Sequence, residues 1–255
     1  MLHLYGMEQR PIVLSGGGAR GFAHLGVLRA MVEVGITPSA ISGTSAGAML
    51  GAFIAAGFTP ERTMELLREE WRIHRTRWKV LRGELLTQRR IGDFLRDTLP
   101  CRDFEELKMP FFVSVTDAER GGQRIFSSGP LVPALLAASA VPLVFPPVVI
   151  NGTAYVDGGL SNNLPIEPFN DRRGDVIGVY VNPLPVYRPQ GSIRNTLDRT
   201  FHLSFREMVL RSAQGCHLYI EPPELARYSM FDLRHTERIE QVGYDHARSV
   251  LRASQ

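Results

Sequence analysis

The first sixty residues contain one hydrophobic pattern twice: a short apolar run, then glycine, then apolar residues at helical spacing. Residues 11–15 form the first run and predict a buried strand, and residues 20–34 carry the helical pattern up to Gly35. A second strand is predicted near residues 40–42, followed by a helix from about 46 to 57. Two successive strand–turn–helix units are typical of parallel βα topology.

The rest of the chain continues this alternation with less clear boundaries. Residues 60–108 are rich in charge and predict helices, whereas Pro142, Pro146 and Pro147 predict an extended, irregular path. The other predicted elements are strands at 110–116, 123–127, 154–156, 175–181 and 217–220, a Gly121-Gly122 turn, and helices at 130–140, 193–212 and 235–252. We therefore expect an α/β fold in which helices cover both faces of a mostly parallel sheet, with residues 1–255 forming one domain.

Composition narrows the classes of function. The chain has 44% hydrophobic residues, 22% charged residues and a net charge of +3, which fits a globular protein and does not indicate a nucleic-acid partner. Its two cysteines, Cys101 and Cys216, lack metal-ligand spacing, so we expect no metal, and either a reducing compartment or no redox role. The N-terminus lacks a leader pattern, and the longest apolar run, residues 46–58, is too short to span a bilayer. We expect a cytoplasmic protein, peripheral on a membrane if it docks on lipid.

The sequence GTSAG at residues 43–47 follows the second predicted strand and begins the second predicted helix. Ser45 would lie in a strained strand-to-helix turn, where Gly43 and Gly47 leave room for the neighbouring backbone. The N-terminus of the helix would favour negative charge that develops beside the serine. This arrangement is typical of a serine nucleophile. The alternative is that the small residues only allow the helix to pack closely on the sheet.

Three consecutive glycines, Gly16, Gly17 and Gly18, follow the first predicted strand. Their N–H groups could converge on an anion, either a phosphate or the oxyanion of an acyl transfer. A P-loop requires Lys and then Ser or Thr where residues 19–21 read Ala-Arg-Gly, and a dinucleotide site requires an acidic residue where the serine turn stands. Nucleotide binding is therefore the weaker interpretation, and a tight turn for helix packing is the other alternative.

No histidine occupies the position expected for a catalytic triad. Of the seven, His235, at the start of a predicted helix, comes nearest to it. An aspartate is a better candidate for the base. Asp157 ends a short predicted strand and is followed by Gly158 and Gly159. A carboxylate within hydrogen-bond reach of a serine hydroxyl can accept its proton, and burial would raise its basicity. The alternative is an ordinary Asp-Gly hairpin turn.

Together, GGGARG at residues 16–21, GTSAG at 43–47 and DGG at 157–159 resemble the motifs of the patatin-like phospholipases in order and spacing. The resemblance runs from about Pro11 to Pro168, includes the stretch AASAVPLVFPPV ahead of the aspartate, and shows no departure at a motif position. It implies a three-layer α/β/α sandwich. It also implies a serine acyl hydrolase that uses a Ser–Asp dyad and needs no catalytic histidine, metal or cofactor.

The resemblance assigns a role to each motif. Ser45 would be the nucleophile and Asp157 the base, while the N–H groups of residues 16–18 would form the oxyanion hole and Arg20 would brace that loop. The expected reaction is hydrolysis of a lipid or another carboxylic ester through an acyl-enzyme. One alternative is an acyltransferase with the same nucleophile, although malonyl-type transferases carry His where Thr44 stands here. The other is a non-catalytic lipid-binding or signalling module, against which the intact motifs argue.

Residues 68–90 combine both tryptophans, Trp71 and Trp78, with many arginines. Aromatic and basic side chains suit an anionic lipid surface, so this segment is a candidate lid or membrane-docking patch beside the site. The alternative is a solvated helical excursion whose tryptophans pack on the body of the protein.

Overall fold

The computed structural model describes residues 7–78, 88–184, 193–231 and 233–253. The strands in these residues are β1 (Glu8–Leu14), β2 (Ile36–Thr44), β3 (Phe111–Asp117), β4 (Gln123–Phe126), β5 (Val148–Ile150), β6 (Thr153–Asp157), β7 (Ile177–Val179) and β8 (Leu218–Ile220). They form one sheet in the order β5-β6-β3-β2-β1-β7-β8, with β4 paired to β3 beside this path.

The core of the sheet is parallel and one edge is antiparallel. β1 lies between β2 and β7 and pairs with both in parallel, and the β2–β3 and β7–β8 pairs are parallel as well. The antiparallel pairs are β3–β4, β3–β6 and β5–β6. Because the parallel strands share one direction, the loops after β1, β2 and β7 emerge side by side at the same edge.

Helices cover both faces of the sheet, so the architecture has three layers. The helices in the described residues are α1 (Ala23–Glu33), α2 (Ala46–Ala55), α3 (Pro60–Trp78), α4 (Gln88–Thr98), α5 (Leu131–Ala138), α6 (Ile193–Ala213) and α7 (Thr236–Ala253). Alternate residues of β1 enter two separate cores: Ile12 and Leu14 pack in the larger one, and Val13 packs in the smaller one with Val209 of α6. This confirms the predicted α/β fold with a mostly parallel sheet.

The last helix packs directly on the first. A Cβ atom added at Gly243 of α7 would lie 2.2 Å from the backbone oxygen of Ala23 in α1, so the two backbones approach as closely as glycine allows. On the surface of this pair, Tyr244 donates a hydrogen bond to Glu33 over 2.7 Å. α7 is therefore an integral part of one helical layer.

The structure corrects several predicted boundaries. β2 starts at residue 36 rather than near 40, and residues 60–108 divide into α3, α4 and a 3-10 turn, Phe104–Glu106. β5 was not predicted; it forms a hairpin with β6 through Asn151 and Gly152, which both have positive φ. None of the helices in the described ranges combines the length and the apolar character that a bilayer span requires.

Candidate active site

The turn between β2 and α2 holds Ser45 in a strained conformation, with φ of 50° and ψ of −124°. A non-glycine residue adopts positive φ only where the surrounding structure enforces it. Here the enforcement comes from packing: a Cβ atom on Gly47 would lie 2.3 Å from the oxygen of Leu14, and one on Gly43 would lie 2.7 Å from the nitrogen of Ala48. The turn therefore requires both glycines, and it presents the serine at the N-terminus of α2.

Sheet register brings Asp157 level with this turn. Thr44, the last residue of β2, pairs with Ser114 of β3, and on the other side of β3 Val115 pairs with Asp157. The two side chains meet across the end of β3, and the Ser45 hydroxyl donates a hydrogen bond of 2.6 Å to Oδ2 of Asp157. Residues 112 positions apart in sequence thus form a serine–carboxylate pair.

The Asp157 carboxylate is fixed by its own turn and is buried. Its Oδ1 accepts a hydrogen bond of 2.8 Å from the N–H of Gly159, and its backbone N–H donates to the oxygen of Ala140 over 3.0 Å. Burial removes the carboxylate from water and raises its pKa from 3.8 to about 6, while the hydrogen bonds from Ser45 and Gly159 act in the opposite direction. A carboxylate with this pKa is ionised at neutral pH and is a stronger base than an exposed one.

The glycine loop after β1 lies against the nucleophile turn. A Cβ atom on Gly16 would lie 2.6 Å from Oδ1 of Asn163 and 3.0 Å from Cβ of Ser45, so a larger residue would force these neighbours to shift. The N–H of Gly16 already donates to Oδ1 of Asn163 over 2.9 Å, and its C=O accepts from Nδ2 of Asn182 over 2.6 Å. The Gly16 amide is therefore not free to bind an anion, which differs from the prediction made for it.

Gly17 and Gly18 differ from Gly16 in the hydrogen bonding of their N–H groups. Within the described part of the chain, the hydrogen bonds of the loop leave the N–H groups of Gly17 and Gly18 without an acceptor, whereas the following amides of Ala19 and Arg20 donate to Met230 and Gly17. Gly18 has a φ of 53°, and a Cβ atom there would lie 2.4 Å from the Met230 oxygen. Among the described residues, the loop thus has two N–H donors without an acceptor, directly after Gly16, the glycine that packs against Ser45.

Arg20 is buried beneath this loop and is not part of the Ser45–Asp157 hydrogen bond. Its Nε donates to the backbone oxygen of Tyr228 over 2.7 Å. The guanidinium therefore links the start of the first helical segment to the chain that leads into α7, and its role as a brace of the glycine loop stays a prediction.

Among the histidines whose side chains the structure describes, none accepts the hydrogen bond of the Ser45 hydroxyl, which goes to Asp157. His24 is buried in α1, where desolvation lowers its pKa to about 4, and its Nε2 lies 2.8 Å from the oxygen of Ser15. Because a carbonyl oxygen can only accept, Nε2 donates this hydrogen bond. The ring of His235 packs against Tyr228, with the ring centroids 5.9 Å apart.

Other predicted features lie elsewhere. Trp71 and Trp78 belong to α3, but their side chains and residues 79–87 lie outside the described residues, so the docking patch stays a prediction. Within the described ranges no cluster of three or more metal-ligating side chains occurs. Asn163 follows the Asp-Gly-Gly motif, where asparagines can order the turn. Asn182 carries no motif role in the sequence interpretation, and only its position directly after the predicted strand at residues 175–181 could have indicated it.

Fold and site together define an α/β protein with a serine–carboxylate pair and a glycine loop at the carboxyl edge of its parallel strands. The patatin-like phospholipase family matches residues 12–170 of the chain. This match covers more than half of the sequence, so the chain belongs to the patatin-like phospholipase family, as its motifs predicted.

Curated relatives support this membership. An uncharacterized NTE family protein of Mycobacterium tuberculosis is 33% identical over 180 residues, which cover 67% of this chain and 48% of the relative. The neuropathy target esterase sws of Drosophila melanogaster is 31% identical over 168 residues, covering 61% of this chain and 12% of the relative. The chain therefore spans about half or less of the length of these curated relatives.

Two solved structures share the fold. VipD from Legionella pneumophila has a TM-score of 0.56 and 17% identity, covering 96% of this chain and 67% of that chain. ExoU in its complex with SpcU from Pseudomonas aeruginosa has a TM-score of 0.52 and 15% identity, covering 97% of this chain and 52% of that chain. At these identities the likeness concerns the fold alone.

Proposed function

We propose that the protein hydrolyses carboxylic ester bonds of lipids, with Ser45 as nucleophile and Asp157 as general base. The observation that carries the proposal is the 2.6 Å hydrogen bond from the Ser45 hydroxyl to the buried Asp157 carboxylate. A general base works best when its pKa is close to the operating pH, and burial moves the pKa of Asp157 to about 6. Membership of the patatin-like phospholipase family supports a lipid ester as the substrate.

In the proposed reaction, Ser45 Oγ bonds to the ester carbonyl carbon while its proton moves to Oδ2 of Asp157. The resulting oxyanion accepts hydrogen bonds from the N–H groups of Gly17 and Gly18, an effect of about 3 kcal/mol for each donor. When the tetrahedral intermediate collapses, the alcohol leaves with the proton from Asp157. Water then attacks the acyl-enzyme and gives a proton to Asp157, and the fatty acid leaves as Ser45 regains its hydrogen.

A lipid surface is the proposed source of the substrate. The loop after α5 exposes Leu143 completely, with a positive φ of 71°, and leaves 46% of Val144 exposed. This loop starts next to Ala140, whose oxygen accepts the N–H of Asp157, so it flanks the dyad. Its far end is tied to α4 by the hydrogen bond from Gln88 to Pro146, beside the exposed Arg89. Apolar side chains with basic neighbours favour contact with anionic lipid.

The test of the chemistry uses purified protein and a fluorophosphonate probe. We expect the wild type to be labelled and to release fatty acid from phospholipid or from a soluble ester, and Ser45→Ala to do neither while melting at a similar temperature. Ser139→Ala is the matched control, because its half-buried hydroxyl, directly after α5, bonds among the described residues only to the oxygens of Leu135 and Leu136. Hydrolysis that survives in Ser45→Ala would refute the assignment.

The test of the lipid surface separates binding from chemistry. Leu143→Asp should reduce hydrolysis of vesicles that contain phosphatidylglycerol and leave hydrolysis of a soluble short-chain ester unchanged. Val32→Asp is the control, since Val32 is 47% exposed but lies near the C-terminus of α1, at the opposite end of the sheet. Equal vesicle activity in both variants would exclude this loop as the contact surface.

A further inference from the structure

The peptide unit between Gly16 and Gly17 is the point where the proposed oxyanion hole is attached to the fold. Its C=O accepts hydrogen bonds from Asn182 Nδ2 over 2.6 Å and from Ser15 Oγ over 3.0 Å. Its N–H is that of Gly17, one of the two loop amides without an acceptor among the described residues. Because a trans peptide is planar, its C=O and N–H point in opposite directions. A side chain that fixes the direction of the carbonyl therefore also fixes the direction of the Gly17 N–H.

The position of Asn182 makes it a rigid anchor for this carbonyl. It follows β7 at the edge where the glycine loop leaves β1, and it is only 2% exposed. The segments that follow β1 and β7 are hydrogen-bonded to each other immediately before Asn182. The N–H of Ser15 donates to the oxygen of Val179 over 3.0 Å, and the N–H of Val181 donates to Ser15 Oγ over 3.1 Å. A buried side chain between two bonded strand ends has little freedom to turn.

The hydrogen-bond inventory of Asn182 indicates a dedicated donor. Its Oδ1 is buried and has no partner within the described part of the chain, which is an unfavourable arrangement for an amide oxygen. The Nδ2 donates to a single acceptor, the carbonyl of Gly16. The N–H of Gly16 donates to Oδ1 of Asn163, so both backbone polar groups of Gly16 are hydrogen-bonded. Among the described residues, the first amide of the loop without an acceptor is that of Gly17.

We propose that Asn182 is a positioning residue for the oxyanion hole. It holds the Gly16 carbonyl so that the Gly17 N–H points toward the substrate oxygen at Ser45. It also polarises the peptide, because an amide whose carbonyl accepts a hydrogen bond is a stronger N–H donor. This inference rests on the proposed function and adds to it a residue that contacts neither the substrate nor the dyad.

The kinetic consequence is specific. Loss of one oxyanion donor lowers kcat by about 10²- to 10³-fold, so misalignment of the Gly17 N–H should lower kcat by about tenfold to a hundredfold. KM should stay within about twofold, since the oxyanion exists only in the transition state. Affinity for a trifluoromethyl ketone analogue of the lipid, which forms an oxyanion on Ser45, should fall by the same factor as kcat/KM. The acid limb of the pH profile should not move, because Asp157 is untouched.

The experiment uses the full chain with Asn182→Leu, which keeps the size of the side chain and removes the donor. Tyr180→Phe is the matched control: Tyr180 lies two residues earlier, is buried, and its hydroxyl has no partner among the described residues. Active-site titration corrects kcat for the fraction of folded enzyme. A kcat of Asn182→Leu within twofold of the control, or a lower kcat with unchanged affinity for the ketone, would overturn the proposal.

If Asn182→Leu does not fold, a second variant, Asn182→Asp, tests the proposal. In Asn182→Asp the introduced carboxyl group can donate to the Gly16 carbonyl only while it is protonated. Since the ordinary pKa of such a carboxyl group is about 3.9 and burial raises it, the activity of this variant relative to wild type should fall as pH rises from 4 to 9. A constant ratio across this range would contradict a donor role.

One readout does not depend on turnover. In protein labelled with ¹⁵N-glycine, the Gly17 amide resonance should shift in Asn182→Leu and stay in place in Tyr180→Phe. If wild type neither hydrolyses esters nor reacts with the ketone, the proposed function fails, and this resonance still decides whether Asn182 orients the Gly17 N–H. An unshifted resonance overturns the inference whatever the activity.

Discussion

Replacement of Asp157 by asparagine should increase stability at alkaline pH while it strongly lowers activity. Asparagine has the same shape, its Oδ1 can accept the N–H of Gly159, and its Nδ2 can donate to the oxygen of Ser45, so both hydrogen bonds of the carboxylate have a counterpart. The change removes the buried negative charge. Activity should fall by about 10²- to 10⁴-fold, the usual contribution of a general base.

The magnitude follows from the raised pKa of Asp157. Its ordinary value is 3.8 and its value in the folded protein is about 6. Between these two pH values the folded protein holds a proton that the unfolded chain has released, so the free energy of unfolding of the wild type falls as pH rises. At about 1.4 kcal/mol per pH unit, this loss amounts to about 3 kcal/mol and is complete above pH 6.

The assay is urea denaturation of wild type and Asp157→Asn at pH 4 and at pH 8. The free energy of unfolding of the variant relative to wild type should be higher at pH 8 than at pH 4 by about 2–3 kcal/mol. Asp171→Asn, at an exposed position in the 3-10 segment before β7, is the control for loss of a carboxylate and should show no such change. A relative stability that is the same at both pH values would refute the claim that the ionised carboxylate is a cost to folding.

Three further outcomes follow from the same structure. The pH profile of kcat/KM should have an acid limb with an apparent pKa near 6, below which the rate falls tenfold per pH unit, because only ionised Asp157 accepts the serine proton; a flat profile down to pH 5 would exclude it as the base. Gly47→Ala should destabilise the protein by about 1–3 kcal/mol, since its Cβ would lie 2.3 Å from a backbone oxygen, whereas Gly174→Ala, with open space around it, should not; denaturant midpoints measure both. His24→Gln should lessen the loss of stability between pH 6.5 and about 4, where the unfolded chain gains a proton that buried His24 does not take up; an identical loss in wild type and variant on acid titration would contradict this.

The sequence was sufficient for the parts of the fold that depend on local pattern. The βα units at the N-terminus and the positions of Ser45 and Asp157 followed from apolar periodicity and from glycines next to polar residues. β5 was missed because prolines dominate residues 142–147, although Asn151-Gly152 is a recognised hairpin signal. The local pattern could also not show that β6 pairs antiparallel to β3, which is the pairing that sets the serine and the aspartate at one level.

The candidate site could be predicted only in part from the local sequence. All three glycines of the loop were assigned as oxyanion donors, since nothing in the sequence tells which amides find partners within the fold. The partners of Gly16 are Asn163 and Asn182, which lie 147 and 166 residues away. Only the assembled sheet brings them to the loop, so the distinction between Gly16 and Gly17 required the structure.

The central place of β1 has a consequence for any shortened form of the chain. A fragment that ends at residue 170, where the family match ends, would keep the nucleophile and the base but lose β7. β1 would then become an open edge, because the backbone groups that pair with β7, among them the N–H of Ser15, would lose their partners, and Val13 would lose its packing with Val209 of α6. Such an edge recruits strands from other molecules. The segment from β7 onward therefore protects the protein against aggregation, and we expect its removal to yield insoluble material rather than a soluble, inactive monomer.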